Sequence, residues 1–157
     1  MLQPADLMHL AIKKCREGIE AGQSPFGCAI ARESEVLAVC HNSVRADIDV
    51  TAHAEINCLR EACKKAGDIL LESAVVATTC EPCPMCMAAL HWARVEVVYF
   101  GAAISDAKAA GFNELDLNAE ALVRTAGSRV RIVPSLLADE CQALFEEWRS
   151  QENAQPY

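Results

Sequence analysis

The sequence lacks any apolar run long enough to cross a membrane, and it opens without a leader pattern. The stretch at residues 97–104 is among the longest apolar runs, far short of the roughly 18 residues that suggest a membrane span. No basic region followed by an apolar stretch stands at the N-terminus, so we expect no secretion signal. These absences predict a cytoplasmic protein without a membrane partner.

Positive charge is also scarce. The chain has 14 Lys and Arg residues against 22 Asp and Glu residues, a formal net charge of −8. Such a chain repels a polyanion unless a local basic patch overcomes the repulsion. Arg124, Arg129 and Arg131 are scattered among neutral residues, and the C-terminal tail is acidic and polar. This balance favours a small neutral substrate and makes nucleic acid an unexpected partner.

Internal repeats and low-complexity linkers are missing as well, so nothing divides the chain. Its 157 residues suffice for one hydrophobic core, whereas two cores would each be small. Hydrophobic residues make up 52% and charged residues 23%, a composition typical of folded globular proteins. We therefore expect a single domain over residues 1–157.

Hydrophobic periodicity predicts strands that alternate with helices after an initial hairpin. Apolar residues at helical spacing predict helices over residues 5–21, 52–66, 85–93 and 136–149. Short runs of apolar and β-branched residues predict strands over residues 26–31, 35–40, 73–79, 95–100 and 130–133. Residues 41–50 are polar and are expected to be irregular. This order predicts a three-layer α/β/α sandwich with a central mixed five-stranded sheet.

Cysteine is the one residue type in clear excess. Nine cysteines form an odd set without the regular spacing of a disulfide scaffold, and in a cytosolic protein they are more often buried residues, metal ligands or catalytic groups. Only Cys80, Cys83 and Cys86 lie densely enough to indicate chemistry.

The strongest motif combines His53 and Glu55 with Cys83 and Cys86. Two cysteines three residues apart at a helix start point to the same side, and the positive end of that helix favours thiolates. His53 begins another helix, so two helix N-termini can converge on one ion. Three protein ligands leave the fourth zinc position open, as in catalytic sites. A His-x-Glu sequence followed by Pro-Cys-x-x-Cys is the signature of zinc deaminases, with the glutamate as proton shuttle.

Other interpretations of these residues stay open. Cys80, Cys83 and Cys86 with His53 would also suit a closed structural zinc site. The same cysteine spacing begins an iron–sulfur pattern, but no fourth cysteine follows at the usual distance. Glu55 is alternatively an ordinary solvated helix residue. The sequence does not decide whether Cys80 contacts the metal or only ends the preceding strand.

The chain resembles the cytidine deaminase-like superfamily and, within it, the bacterial guanine deaminases. The resemblance runs from the first helix to the last and implies one Zn²⁺ per chain held by His53, Cys83 and Cys86, with Glu55 as the proton shuttle. The motifs that carry it are Ser24-Pro25-Phe26-Gly27, His41-Asn42, Thr51-Ala52-His53-Ala54-Glu55, Cys80-Glu81-Pro82-Cys83-Pro84-Met85-Cys86 and Trp92-Ala93-Arg94.

The resemblance also implies substrate contacts. Asn42 matches the family asparagine that hydrogen-bonds the base, and Phe26 matches the aromatic residue that packs on its ring. Ala54, within the metal motif, is a further candidate substrate contact. Trp92 is a candidate for the pocket wall, with a tryptophan that fills the core as the alternative.

Two further candidates concern substrate choice and closure of the pocket. Guanine deaminases carry an acidic residue after Gly-Phe, where a carboxylate can accept from ring N1–H and the 2-amino group. Glu114 falls at this position, but this chain has Asn-Glu where the family pattern has Asp-Asp. The alternative is that Glu114 is an ordinary charged residue of a loop.

Guanine deaminases of this kind close the pocket with a terminal aromatic residue from the partner of a swapped homodimer. Tyr157 matches it, unless the tail is frayed.

Together these features predict hydrolytic deamination of guanine to xanthine and ammonia. Transfer-RNA adenosine deaminases share the motif but need a basic surface. Cytosine, a guanine nucleoside and a triazine are the remaining substrates to consider, because the catalytic half is shared. A zinc-binding relative without enzymatic activity is the alternative of a different class, and it would most simply lack the glutamate.

Overall fold

A computed structural model describes residues 2–157 as a central sheet flanked by helices; Met1 lies outside the described residues. The five strands are β1 (Gly27–Arg32), β2 (Glu35–His41), β3 (Ala74–Cys80), β4 (Val97–Ala102) and β5 (Arg131–Val133). The helices are α1 (Pro4–Glu20), α2 (Val44–Asp47), α3 (Ala54–Ala66), α4 (Pro84–Trp92), α5 (Ile104–Ala109), α6 (Ala119–Ala126) and α7 (Ala138–Arg149).

The sheet is mixed, and its strands follow the order β2-β1-β3-β4-β5. Strand β1 pairs antiparallel with both β2 and β3, so the predicted hairpin forms one edge of the sheet. Strands β3, β4 and β5 run parallel to one another. The carboxyl ends of β3 and β4 therefore meet at one edge, where Cys80 pairs with Ala102.

Helices cover both faces of the sheet, which confirms the predicted three-layer sandwich. One face packs against α1 and α7, with residues such as Ile12 and Leu144 fully or almost fully buried. The other face packs against α3, α4 and α6, through residues such as Leu90 and Ala119. Neighbouring residues of β1 alternate between the two clusters because strand side chains alternate in direction.

Gly27 allows α1 to approach the sheet closely. A Cβ at this position would clash with the backbone carbonyl oxygen of Ala11 and would also meet the Cys15 side chain. The residue after Phe26 is therefore glycine for a packing reason, and this close approach holds the start of β1 under α1.

Three helices differ from the sequence prediction. Helix α2 lies within residues 41–50, which were expected to be irregular; it has only four residues, too few for a periodic pattern. Helices α5 and α6 were not predicted, and they have six and eight residues. Strand β4 begins two residues later than expected because the amide of Val95 still bonds the carbonyl of Leu90 at the end of α4.

None of the helices within residues 2–157 combines the length and apolar character that a membrane span requires. All nine cysteines in this part of the chain are free thiols. Six of them are buried, in line with cysteine as a small core residue.

Candidate metal centre and substrate pocket

Two helix N-termini bring the candidate metal ligands together. His53 is the N-cap residue of α3 and Cys83 is the N-cap residue of α4; both have extended backbone conformations. Pro84 stands at the start of α4, where the missing N–H costs no helical hydrogen bond. Cys86 lies in the first turn of the same helix. This arrangement agrees with the prediction that the starts of the two helices converge.

The three ligand atoms have the spacing that a zinc ion needs. His53 Nδ1 lies 3.6 Å from Cys83 Sγ and 3.5 Å from Cys86 Sγ, and all three atoms lie within 4.8 Å of one another. Tetrahedral zinc with Zn–S of about 2.3 Å and Zn–N of about 2.0 Å separates such ligand atoms by about 3.5 Å or slightly more. The nitrogen–sulfur donor set and its spacing therefore fit zinc.

The protonation of the two thiols differs. The pKa of Cys83 is lowered to about 4, because its sulfur accepts a hydrogen bond from Cys86 and lies beside His53. The same hydrogen bond, together with burial, raises the pKa of Cys86 well above its ordinary value. Burial lowers the pKa of His53, but the hydrogen bond with Cys83 and the charge of Glu55 outweigh that effect and raise it. Metal binding would release the remaining thiol proton.

Glu55 lies next to the ligand cluster without belonging to it. Its carboxylate is buried in the first turn of α3, and Oε1 accepts a hydrogen bond of 2.9 Å from the hydroxyl of Thr78. The other oxygen, Oε2, lies 3.5 Å from Cys86 Sγ. Burial raises the pKa of this carboxyl. Glu55 is therefore not a solvated helix residue, and its carboxylate has a fixed orientation beside the candidate ligands.

Cys80 stands apart from the three ligand atoms. Its thiol donates to the carbonyl oxygen of Ala103 across 3.6 Å, and the ligand group found within residues 2–157 contains His53, Cys83 and Cys86 without it. Cys80 is the last residue of β3. Of the two interpretations left open by the sequence, the geometry favours the one in which Cys80 ends the strand.

A small cavity of about 20 Å³ adjoins this cluster. It is lined by aromatic, acidic and metal-ligand-type side chains, namely Phe26, His53, Glu55, Cys80, Glu81, Cys83, Glu114 and Tyr157. Such a volume holds about one water molecule, so a heterocyclic base enters only if part of the lining moves.

Phe26, for which the resemblance implied a contact with the ring of the base, forms one wall of the cavity. Its ring meets Phe112 edge-on with centroids 5.0 Å apart, and it meets Phe145 of α7 at 5.9 Å. The Phe26 carbonyl accepts from the amide of Asn42, so the two predicted substrate contacts are joined through the backbone. Ala54 is fully buried between His53 and Glu55.

The C-terminal tail covers the cavity. The side-chain amide of Asn42, which is fully buried, donates a hydrogen bond of 2.6 Å to the hydroxyl of Tyr157. The Tyr157 ring lies 6.0 Å from the His53 ring and 5.4 Å from that of Phe112. Asn113 donates from its backbone to the Tyr157 carbonyl, and Arg45 donates to backbone carbonyls of the two residues before Tyr157.

Within a single chain, Tyr157 reaches the cavity of that chain. The exchange of this residue between the partners of a swapped homodimer, which the resemblance implied, stays a prediction. The tail is held by hydrogen bonds at several points and is not frayed.

Glu114 points its carboxylate into the same cavity. No donor among residues 2–157 forms a hydrogen bond with this carboxylate, although it lines the space beside His53 and Cys83. Burial, followed by the negative charge of Cys83, raises its pKa. Glu114 is therefore more than a solvated loop charge: it is an acceptor that faces the cavity.

Trp92 does not lie where either interpretation placed it. It is the last residue of α4, the opposite end of the helix from Cys83, and its side chain is 74% exposed. It neither lines the cavity nor fills the core of the chain. Trp92 is therefore not part of the pocket wall, because only the N-terminal turn of α4 reaches the candidate metal centre.

Three residues near the centre were not singled out from the sequence. Thr78 shares a sheet face with Val76, so a polar residue on an otherwise apolar face of β3 was the available signal. Phe112, directly before the acidic loop, contacts Phe26, Trp148 and Tyr157. Glu81 is a charged residue inside the cysteine motif, and it is almost fully buried.

Comparison with known proteins agrees with this geometry. Residues 1–102 match the family described as the cytidine and deoxycytidylate deaminase zinc-binding region. The chain is 35% identical to the guanine deaminase of Bacillus subtilis over 148 residues, which cover 94% of each protein. It is 34% identical to the tRNA-specific adenosine deaminase of the same organism over 158 residues, covering 98% of this chain and 96% of that protein.

A solved structure extends the agreement to the fold. The guanine deaminase from Nitrosomonas europaea superposes with a TM-score of 0.86 and 26% identity, over 96% of this chain and 87% of that one. With the matched family region and the His53, Cys83 and Cys86 group, the chain belongs to the cytidine and deoxycytidylate deaminase family of zinc-dependent hydrolases.

Proposed function

We propose that this protein deaminates guanine by hydrolysis, giving xanthine and ammonia. The observation that carries the choice of base is the Glu114 carboxylate, which faces the cavity beside the metal-ligand side chains and accepts no hydrogen bond from residues 2–157. His53, Cys83 and Cys86 would hold the zinc ion, and zinc would supply a water molecule whose pKa is lowered toward about 7.

Glu55 would move the proton in this reaction. Its carboxylate lies 3.5 Å from Cys86 at Oε2, while Thr78 holds the other oxygen. A carboxylate fixed in this way can accept a proton from the attacking water and deliver it to the ring nitrogen beside the attacked carbon. The hydroxyl group of the resulting tetrahedral carbon would then give up its proton, again through Glu55, to the 2-amino group. The C–N bond breaks as the C=O bond of xanthine forms, and the amino group leaves as ammonia.

Glu114 would select the base. Guanine presents two adjacent donors, ring N1–H and the 2-amino group, which one carboxylate can accept together. Adenine has no donor at N1 and no 2-amino group, so it would leave the half-buried carboxylate of Glu114 unpaired. Asn42 would hydrogen-bond the opposite part of the base, and the Phe26 ring would pack on it.

The main rival is deamination of adenosine in tRNA, favoured by the 34% identity to the Bacillus subtilis tRNA enzyme. Charge argues against it, because the formal net charge is −8. Arg16 and Arg149, near the last helix, form ion pairs with Glu147 and Glu146 and thus do not form a free basic patch. The Tyr157 tail also occupies the mouth of the cavity, where a polynucleotide needs an open groove.

Ammonia release by the purified, zinc-loaded protein tests the proposal. The substrates to compare are guanine, guanosine, adenine, cytosine, cytidine, an aminotriazine and a tRNA anticodon stem. We expect rapid release from guanine. Release from the RNA alone would overturn the choice of substrate and leave the hydrolytic chemistry intact.

A matched pair of variants tests the role of Glu114. Glu114→Gln loses one acceptor of a charge-assisted contact and is expected to raise KM for guanine about tenfold to a hundredfold. Glu120→Gln, on the exposed first turn of α6, makes the same change outside the cavity and is the control. Equal KM values for the two variants would contradict the assignment.

A further inference from the structure

Glu81 joins the beginnings of two helices through one buried side chain. It follows β3 directly, and only 8% of its surface is exposed. Oε2 accepts a hydrogen bond of 2.9 Å from the backbone amide of Ile104, the first residue of α5. Oε1 accepts one of 2.8 Å from the amide of Ala119, the first residue of α6. Both amides belong to the helix-start donors that lack an intrahelical partner.

These two bonds close the segment between α5 and α6 into a loop with fixed ends. The segment carries Phe112 and Glu114, and Glu81 itself lines the cavity that Glu114 faces. The first half of the loop is also held by Phe112, whose ring contacts those of Phe26 and Trp148.

The half that carries Glu114 has weaker ties of its own. The ion pair of Lys108 with Asp116 spans 3.5 Å and is largely exposed, so it contributes little. The amide of Asn113 bonds Tyr157, whose tail has to move when a base enters.

The Glu81 carboxylate is suited to hold the two ends of this loop. No Lys, Arg or His within residues 2–157 forms an ion pair with it, so its negative charge is balanced only by backbone amides. Each carboxylate oxygen serves a different helix. A glutamine here would offer one acceptor oxygen and one donor nitrogen, so it could hold one helix start but would oppose the other amide with an N–H group.

We propose that Glu81 is a positioning residue for substrate selection: by holding residues 104 and 119 on one carboxylate, it fixes the loop that presents Glu114 to the base. The inference rests on the proposed function of Glu114. Glu81 acts through the loop and has no part in the proton transfer itself.

The first test is the variant Glu81→Gln. We expect KM for guanine to rise about tenfold, in line with the loss of one hydrogen bond to a charged group, while kcat stays within about threefold and one zinc per chain is retained. Asn118→Ala is the matched control, because Asn118 caps the same helix α6 by accepting from the amide of Ala121 and does not reach α5. It should lower the melting temperature and leave KM unchanged.

A second variant removes the donor instead of the acceptor. Ala119→Pro deletes the amide that bonds Oε1, at a first helical position where proline is tolerated and after a residue, Asn118, whose backbone is already extended. It should reproduce the rise in KM of Glu81→Gln. Retention of the wild-type KM by both variants, or loss of zinc and kcat at unchanged KM, would overturn the inference.

Two measurements separate this inference from the proposed function. In a Glu114→Gln background, the Glu81→Gln change should have little further effect on KM, since both act through one contact; additive effects would contradict the inference.

Hydrogen exchange is a second measurement, and it needs no substrate. The Glu81→Gln change should speed exchange of the backbone amides of residues 110–118 without changing exchange in α3. If guanine is not a substrate but exchange rises as expected, the proposed function fails while the anchoring stands. Unchanged exchange overturns the anchoring.

Discussion

The side-chain amide of Asn42 donates a 2.6 Å hydrogen bond to the hydroxyl of Tyr157, which joins the residue after β2 to the last residue of the chain. Asn42 Oδ1 accepts from the amide of Val44, so the orientation of this amide is fixed. The side-chain amide that we expect to bind the base is thus paired with the tail. Entry of a base requires the tail to move.

Replacement of Tyr157 tests whether the tail ring is part of the pocket. Tyr157→Ala should lower kcat/KM for guanine about tenfold or more, because the ring contacts with His53 and Phe112 are lost and such contacts contribute about 0.5–1.5 kcal/mol each. Tyr157→Phe keeps the ring and should stay within about threefold. The measurement is the steady-state kinetics of both variants. A wild-type kcat/KM in Tyr157→Ala would show that the Tyr157 ring is not part of the substrate pocket.

The homodimer stays a prediction. Sedimentation of the wild type and of a chain shortened by its last four residues would show whether the tail contributes to association. A dimer that survives the deletion would agree with a tail that serves its own chain, as seen here.

Zinc content distinguishes the metal ligands from the neighbouring cysteine. Cys86→Ala removes one of the three clustered ligand atoms, so we expect the purified protein to lose its zinc and to melt at a lower temperature. Cys80→Ala removes a thiol that faces the Ala103 carbonyl and should retain one zinc per chain. Metal analysis of both proteins is the measurement. Loss of zinc from Cys80→Ala would support the alternative interpretation, in which Cys80 is the fourth ligand of a closed structural zinc site.

Thr78 offers a test of how Glu55 is oriented. Thr78→Val keeps the side-chain shape and removes the hydroxyl that bonds Glu55 Oε1 at 2.9 Å. A hydrogen bond to a charged group contributes about 1.5–3 kcal/mol, so kcat should fall about tenfold to a hundredfold with little change in KM. Thr78→Ser retains the hydroxyl and should recover most of the rate. An unimpaired kcat in Thr78→Val would remove Thr78 from the mechanism.

Much of the fold and of the metal cluster was predictable because both depend on local patterns. The long helices α1, α3 and α7 have enough turns for apolar periodicity to be visible. The ligands His53, Cys83 and Cys86 all stand at helix starts, where short-range spacing determines direction. Gly67 ends α3 in a left-handed conformation, which glycine adopts without steric cost.

The remaining features depend on contacts between distant parts of the chain. Glu81 bonds residues 23 and 38 positions away, and no local pattern reports such a partner. Trp92 was misplaced because its neighbours in sequence belong to the motif, while the helix carries its side chain to the surface. The contacts of the tail with Arg45 and Asn42 join residues more than 100 positions apart, so the sequence could not indicate them.

Under the proposed function, Glu55 would drive the deamination of guanine beside a zinc ion held by His53, Cys83 and Cys86. The most direct measurement follows xanthine and ammonia from guanine for the wild type and for Glu55→Gln, with zinc measured in the same samples. We predict equal amounts of the two products from the wild type, and a variant that retains one zinc but is slower by about a hundredfold or more. Wild-type turnover by a zinc-loaded Glu55→Gln protein would contradict the role of Glu55. A zinc-loaded wild type that leaves guanine unchanged would contradict the proposed substrate.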